Sequence, residues 1–429
     1  MRKPNRYLIL SLLLVIQMMI GGHYAWSIFS GELIAKHGFT AALSQVAYSV
    51  YHICFALAFL FGGRVLEKFG PRFTVLAGGA IFGLGYFLAG VFPLSVYSLA
   101  LCLGVLGGTG SGFCYITPIA TAQKWFEDKR AVATGATVAF FAFGAVLISL
   151  TAERLLSQGL ALPAIFRILG IVYFVVIILC ALFLKNPAGY KSHDEPMPLA
   201  AIIKDRNIIA MTVTMFAGLF AGLMVISSLK NIGVSRNIEL AGFAVMFISA
   251  FNGAGRLLWG WIIQKIGEEL SITISFAAQA LVLFTSIYWV SGLMTFFVFA
   301  GLVGLMYACT LVAFASNVSR VYGVKHLTTI YGYMFLTNGA AGLSGPIIAG
   351  LSKDLTGNYD AAIITAAVVC AASLAVFKGM YREVKSVHNV TNVLNVCNVN
   401  RNRYRSPPGE LRYKRYKLYS AMPDEVWHD

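Results

Sequence analysis

Arg256 is the residue whose chemistry is hardest to explain away. It lies inside the apolar stretch from Leu240 to Ile263, nine residues or ~13 Å of helix from Lys265, too far for its side chain to reach the polar edge. An ionised arginine at the centre of a membrane helix costs roughly 3 kcal/mol on insertion scales. None of the 18 Asp and Glu residues falls deep in an apolar stretch to neutralise it. The guanidinium therefore either grips an anionic ligand, for which its planar fork matches a carboxylate, or bonds backbone carbonyls or a water-filled crevice. Asn252, one turn earlier on the same helical face, either donates its amide to the same anion or packs by hydrogen bond. Other chemistry is not indicated. There is no GxxxxGK[ST] loop, paired buried acid, CxxC or metal-ligand cluster, so neither an enzyme nor a cofactor is expected. Gly104, Gly107, Gly108, Gly110 and Gly112 follow no strand and read as helix-packing positions.

The elements that must hold Arg256 are membrane helices. The chain is 58% hydrophobic and 12% charged over 429 residues, against about a quarter charged in soluble domains. Runs of about twenty apolar residues, enough to cross a ~30 Å hydrocarbon core, recur at 7–29, 42–62, 73–92, 95–120, 131–153, 163–184, 207–229, 240–263, 270–290, 293–316, 328–351 and 358–379. The first, behind Arg2, Lys3 and Arg6, has no small-residue cleavage site after it and reads as a permanent span. This predicts an all-α protein of twelve transmembrane helices, multi-pass in the cell membrane. With the N-terminus inside, cytoplasmic segments before the tail carry 16 Lys and Arg against 6 outside, which places both termini in the cytoplasm.

Residues 185–206, with Pro187, Pro196 and Pro198, read as a cytoplasmic linker between an N-terminal six-helix half (1–184) and a C-terminal one (207–379). Residues 380–429 form a basic tail, expected to be disordered and to meet anionic lipid headgroups rather than nucleic acid. Each half repeats a short polar segment after its second span: Gly63 to Arg72, with Glu67, Lys68 and Gly70, and Gly260 to Gly267. The spacing Gly, three residues, acid, base, any residue, Gly resembles the signature loop of the major facilitator superfamily. That resemblance implies alternating access about a midplane site between parallel repeats. Here Glu67 stands for the usual aspartate and Gln264 for the second-half acid, so a gating ion pair would rest on Gly63, Glu67, Lys68, Gly70 and Arg72. Ser344-Gly345-Pro346 is expected to let span eleven bend.

Phe251-Asn252-Gly253-Ala254-Gly255-Arg256 resembles the eighth helix of the oxalate/formate antiporters and monocarboxylate transporters, where an arginine at this position binds the carboxylate. Trp125 to Gly135 and Gly22-His23-Tyr24-Ala25-Trp26-Ser27 resemble further segments of those families. The resemblance implies a pocket of His23, Tyr24, Tyr115, Arg256, Tyr307, Leu311, Phe335 and Asn338. Asn338 stands where the oxalate carriers place a lysine, so one permanent charge remains and a monoanion such as lactate, pyruvate or formate is expected over a dianion. His23 either supplies a second charge, carries a coupled proton, or is a neutral histidine bonded within the bundle. The expected protein is thus a secondary carrier of small carboxylates, by proton symport or anion exchange, with a monomeric functional unit. An oxalate/formate-type exchanger and a transporter-like carboxylate sensor are the alternatives.

Overall fold

The computed structural model describes residues 5–126, 130–187 and 199–382. The basic tail from residue 383, half of the linker (188–198) and residues 127–129 of the Trp125 to Gly135 segment lie outside the described residues. Among those described there is no strand, and eleven helices are long and apolar enough to cross a membrane: α1 (Arg6–His37), α2 (Ala41–Ala89), α3 (Val96–Trp125), α4 (Val132–Ser157), α5 (Leu162–Leu182), α6 (Arg206–Ser235), α7 (Ala241–Ile266), α8 (Glu268–Trp289), α9 (Leu293–Tyr322), α10 (Thr329–Thr356) and α11 (Asp360–Met380).

Eleven helices stand against twelve expected spans because α2 holds two of them. Its 49 residues would stretch about 74 Å if straight, more than twice a ~30 Å bilayer core. They do not run straight, because Gly70 (φ 80°, ψ 171°) breaks the helix into two arms joined at a kink. Only glycine adopts this backbone without strain, and Pro71 then starts the second arm. Gly267, between α7 and α8, has nearly the same geometry (φ 77°, ψ 168°). The segment expected as a loop from Gly63 to Arg72 is therefore helical on both sides of a single non-helical residue.

Three helices depart from regular α geometry along their length. In α1, Gly21–Ala25 is a 3₁₀ turn. A Cβ on Gly21 would lie 1.7 Å from the Phe141 carbonyl oxygen, so α1 and α4 touch backbone to backbone there. In α3, Ala100–Gly107 is π-helical, and the glycine-rich run packs on α2: a Cβ on Gly108 or Gly112 would meet the Tyr51 or Phe55 carbonyl at 2.4 and 2.7 Å. In α10 the break falls at Phe335, whereas Ser344-Gly345-Pro346, the expected bend, sits within continuous helix.

Across the middle of the molecule α2 packs on α10, α4 on α7 and α1 on α6. Polar contacts reinforce this junction at the end carrying Ala41. Asp354 accepts from the Ala41 and Ala42 amides (both 2.9 Å), Lys230 pairs with Glu153 (2.6 Å), and Asn231 donates to Ser30 (2.9 Å). At the other end, Trp125 donates to the Lys185 carbonyl (2.8 Å), tying α3 to the end of α5, and Tyr322 donates to Asp205 (2.7 Å), tying α9 to the start of α6; neither bond crosses the junction.

Candidate functional site

Arg256 heads the large, fully buried side chains among the described residues, 1% exposed. Helix α7 aims it at α4, where Nη1 donates to the Val138 carbonyl and the guanidinium carbon stands 5.8 Å from the Phe141 ring centroid. Nε donates to Asn252 Oδ1 at 3.2 Å, the i to i−4 neighbour on its own helix. Nη2 is buried without a partner, as is Asn252 Nδ2. Two donor groups hold the Val138 backbone and Asn252, and the hydroxyls of Tyr24 and Tyr115 stand close to the guanidinium. Among the described residues no carboxylate pairs with it.

The other expected residues converge from both sides of the junction. Tyr24 and Tyr307 share a hydrogen bond at 3.1 Å between α1 and α9, and with Tyr115 they lie within the electrostatic reach of Arg256. Tyr115 packs edge-on to Phe141 at 4.8 Å and stacks with Phe335 at 6.2 Å. Leu311 presents its carbonyl to the Tyr331 hydroxyl at 3.3 Å. Asn338 is buried one turn past the break in α10, its Oδ1 without a partner. The ring wall is completed by Phe55 and Phe59 of α2, 5.6 and 4.5 Å from Phe335, and by Phe141, none of which sequence reasoning had assigned.

His23 sits in the 3₁₀ turn of α1, where Nδ1 meets the Ile20 carbonyl at 3.2 Å. Sequence reasoning missed its neighbour, His52, whose ring centroid is 5.3 Å away. A signal was available, since these are the two of seven histidines that fall within predicted spans.

The kink residues lie apart from this cluster. Glu67, Lys68 and Arg72 are exposed, and Gly63 and Gly70 flank the end of one arm of α2. An apolar groove of about 370 Å³ between α2 and α5, walled by Gly83, Phe87 and Phe174, contains no predicted site residue.

A sequence model of the Major Facilitator Superfamily matches residues 9–346 and 237–394 of the chain. The chain belongs to the major facilitator superfamily. It is accordingly a multi-pass integral membrane transporter, not an enzyme. Its relatives include the oxalate:formate antiporter of Oxalobacter formigenes, 26% identical over 403 residues, covering 89% of this chain and 94% of the relative. Apicoplast pyruvate carrier 1 of Toxoplasma gondii is 24% identical over 360 residues, 64% of this chain and 63% of that one. Among solved structures, the nucleoside transporter NupG superposes with a TM-score of 0.70 at 14% identity, over 88% of this chain and 100% of that one, a likeness of fold.

Proposed function

We propose that this superfamily member carries small organic anions, preferentially monocarboxylates of the formate, lactate or pyruvate type, by alternating access, with Arg256 as the carboxylate ligand. The buried, unpartnered Nη2 of Arg256 carries this reading. A desolvated cation with no carboxylate partner among the described residues is matched by an anion, and a bond from a charged donor is worth about 1.5–3 kcal/mol. Asn252 holds the guanidinium in place through Oδ1 and offers Nδ2 to the same anion. Tyr24, Tyr115 and Tyr307 contribute hydroxyls, while Phe335, Phe141 and Leu311 exclude water. One fixed cation suits one carboxylate.

On this reading the two arms of α2 cross separately, giving twelve crossings in two six-helix halves, with both termini cytoplasmic by the distribution of Lys and Arg. The Ala41 end is then external, and Asp354, Lys230 and Asn231 close it. The kinks at Gly70 and Gly267, with Glu67, Lys68 and Arg72 beside the first, lie on the cytoplasmic side where the halves separate. The 26% identity to an oxalate:formate antiporter supports a second reading, exchange of a dianion for a monoanion at the same arginine.

Purified protein in liposomes tests the proposal. Uptake of labelled formate, lactate or pyruvate should saturate and be inhibited by the other two. Binding without flux would favour a sensor, and neither binding nor flux of any carboxylate would reject the assignment.

A further inference from the structure

The structure gives this site one fixed cation and, beside it, two histidines. Both imidazoles turn Nδ1 toward a backbone carbonyl: His23 toward Ile20 at 3.2 Å and His52 toward Tyr48 at 2.9 Å. A carbonyl only accepts, so Nδ1 bears the proton in each ring and Nε2 bears a lone pair. His23 Nε2 is buried and has no donor. In this state it repels a carboxylate oxygen, since both are acceptors. Adding one proton converts Nε2 into a donor and supplies a second positive charge.

Aromatic rings flank the pair. Tyr51 stacks on His23 with centroids 4.4 Å apart, and Tyr48 lies 4.4 Å from His52. Aromatic faces stabilise a cation held over them. The titratable and charged groups around the pair are Tyr24 on α1, Tyr48 and Tyr51 on α2, Tyr115 on α3, Tyr307 on α9 and Arg256 on α7. The charge of Arg256 reaches His23, and among the described residues no carboxylate acts on that ring. With no counter-ion, an imidazolium next to Arg256 is unfavourable until an anion arrives. Two protons on rings 5.3 Å apart would repel each other. His52 also crosses the junction between the halves: a Cβ on Gly342 of α10 would lie 2.3 Å from His52 Cβ.

We infer that His23 and His52 form a shared proton site that takes up one proton when a dianion enters and none when a monoanion enters, serving as the conditional second cation beside Arg256. The proton comes from water on the side to which the site is open and leaves with the dianion. This rests on Arg256 being the carboxylate ligand, and it names how that site admits a second carboxylate.

The test is titration calorimetry of the full-length detergent-solubilised protein with oxalate and with formate, each in two buffers of different ionisation enthalpy near neutral pH. Oxalate should bind with uptake of about one proton and weaken about tenfold per pH unit above neutrality, while formate should show neither effect. In His23→Gln with His52→Gln together, the uptake should vanish and the oxalate-to-formate affinity ratio should fall at least about tenfold. Oxalate binding with no buffer dependence in the wild-type protein overturns the inference, as does uptake that persists in the double variant. Formate and oxalate both failing to bind wild-type protein would reject the Arg256 assignment itself.

Discussion

Replacing Asn252 with aspartate would set an internal competitor against the substrate. Asn252 Oδ1 already accepts from Arg256 Nε at 3.2 Å, and both side chains are buried. Asn252→Asp therefore installs a carboxylate at hydrogen-bond distance from the guanidinium with almost no change in shape. Two unit charges about 4 Å apart at an effective dielectric near 20 attract by ~4 kcal/mol. An anion entering the site would have to share or displace that pairing. At ~1.4 kcal/mol per decade the affinity for formate or pyruvate should fall about a thousandfold, while the unliganded variant should be at least as stable as wild type. Asn252→Ala removes the hydrogen bond without adding charge, and the loss of one charge-assisted bond, about 1.5–3 kcal/mol, predicts a drop of roughly 10- to 150-fold. Binding isotherms and thermal unfolding of the two purified variants provide the check. If Asn252→Asp bound monocarboxylates as tightly as wild type, the reasoning that Arg256 supplies the anion's counter-charge would be refuted.

Two further predictions concern the frame around the site. Asp354→Ala removes the carboxylate that accepts from the Ala41 and Ala42 amides; a helix cap of this kind is worth about 1 kcal/mol, so hydrogen exchange of those amides should speed up about fivefold, and unchanged exchange would count against an Asp354 clamp. Gly21→Ala forces a methyl group to 1.7 Å from the Phe141 carbonyl oxygen; overpacking of this severity costs ~3 kcal/mol or more, so the thermal midpoint should drop by several degrees, and an unchanged midpoint would contradict the close packing of α1 on α4.

The membrane helices were legible because lipid demands long apolar runs, and nothing else in this chain resembles them. Arg256 and Asn252 were legible for the same reason in reverse, as polar residues where hydrocarbon makes them costly. Their pairing followed from helical spacing, and the structure supplies it at 3.2 Å. What sequence could not give was the partner across the junction. The Val138 carbonyl that accepts from Arg256 belongs to backbone, and backbone acceptors leave no mark in residue types. Gly70 was read as one of several loop residues because a turn of a single positive-φ glycine and a longer loop share the same composition. Ser344-Gly345-Pro346 lies within helix here, since proline can stay in a helix whose neighbours support it, and the interruption at Phe335 had no comparable sequence mark. His52 was passed over because a histidine in an apolar span acquires meaning only from what it faces.

The most direct test of the central claim is the monocarboxylate binding isotherm of Arg256→Met, measured on protein whose unfolding profile is intact. The ~3 kcal/mol cost of a charge in an apolar helix roughly offsets the bonds to Val138 and Asn252, so the unliganded variant should unfold within a few degrees of wild type. It should nevertheless lose formate, lactate and pyruvate binding by at least a hundredfold, since truncating one side of a buried charge pair costs about 2–5 kcal/mol. A folded Arg256→Met protein that binds these anions with wild-type affinity would show that Arg256 is a structural tie to α4 and not the substrate's ligand.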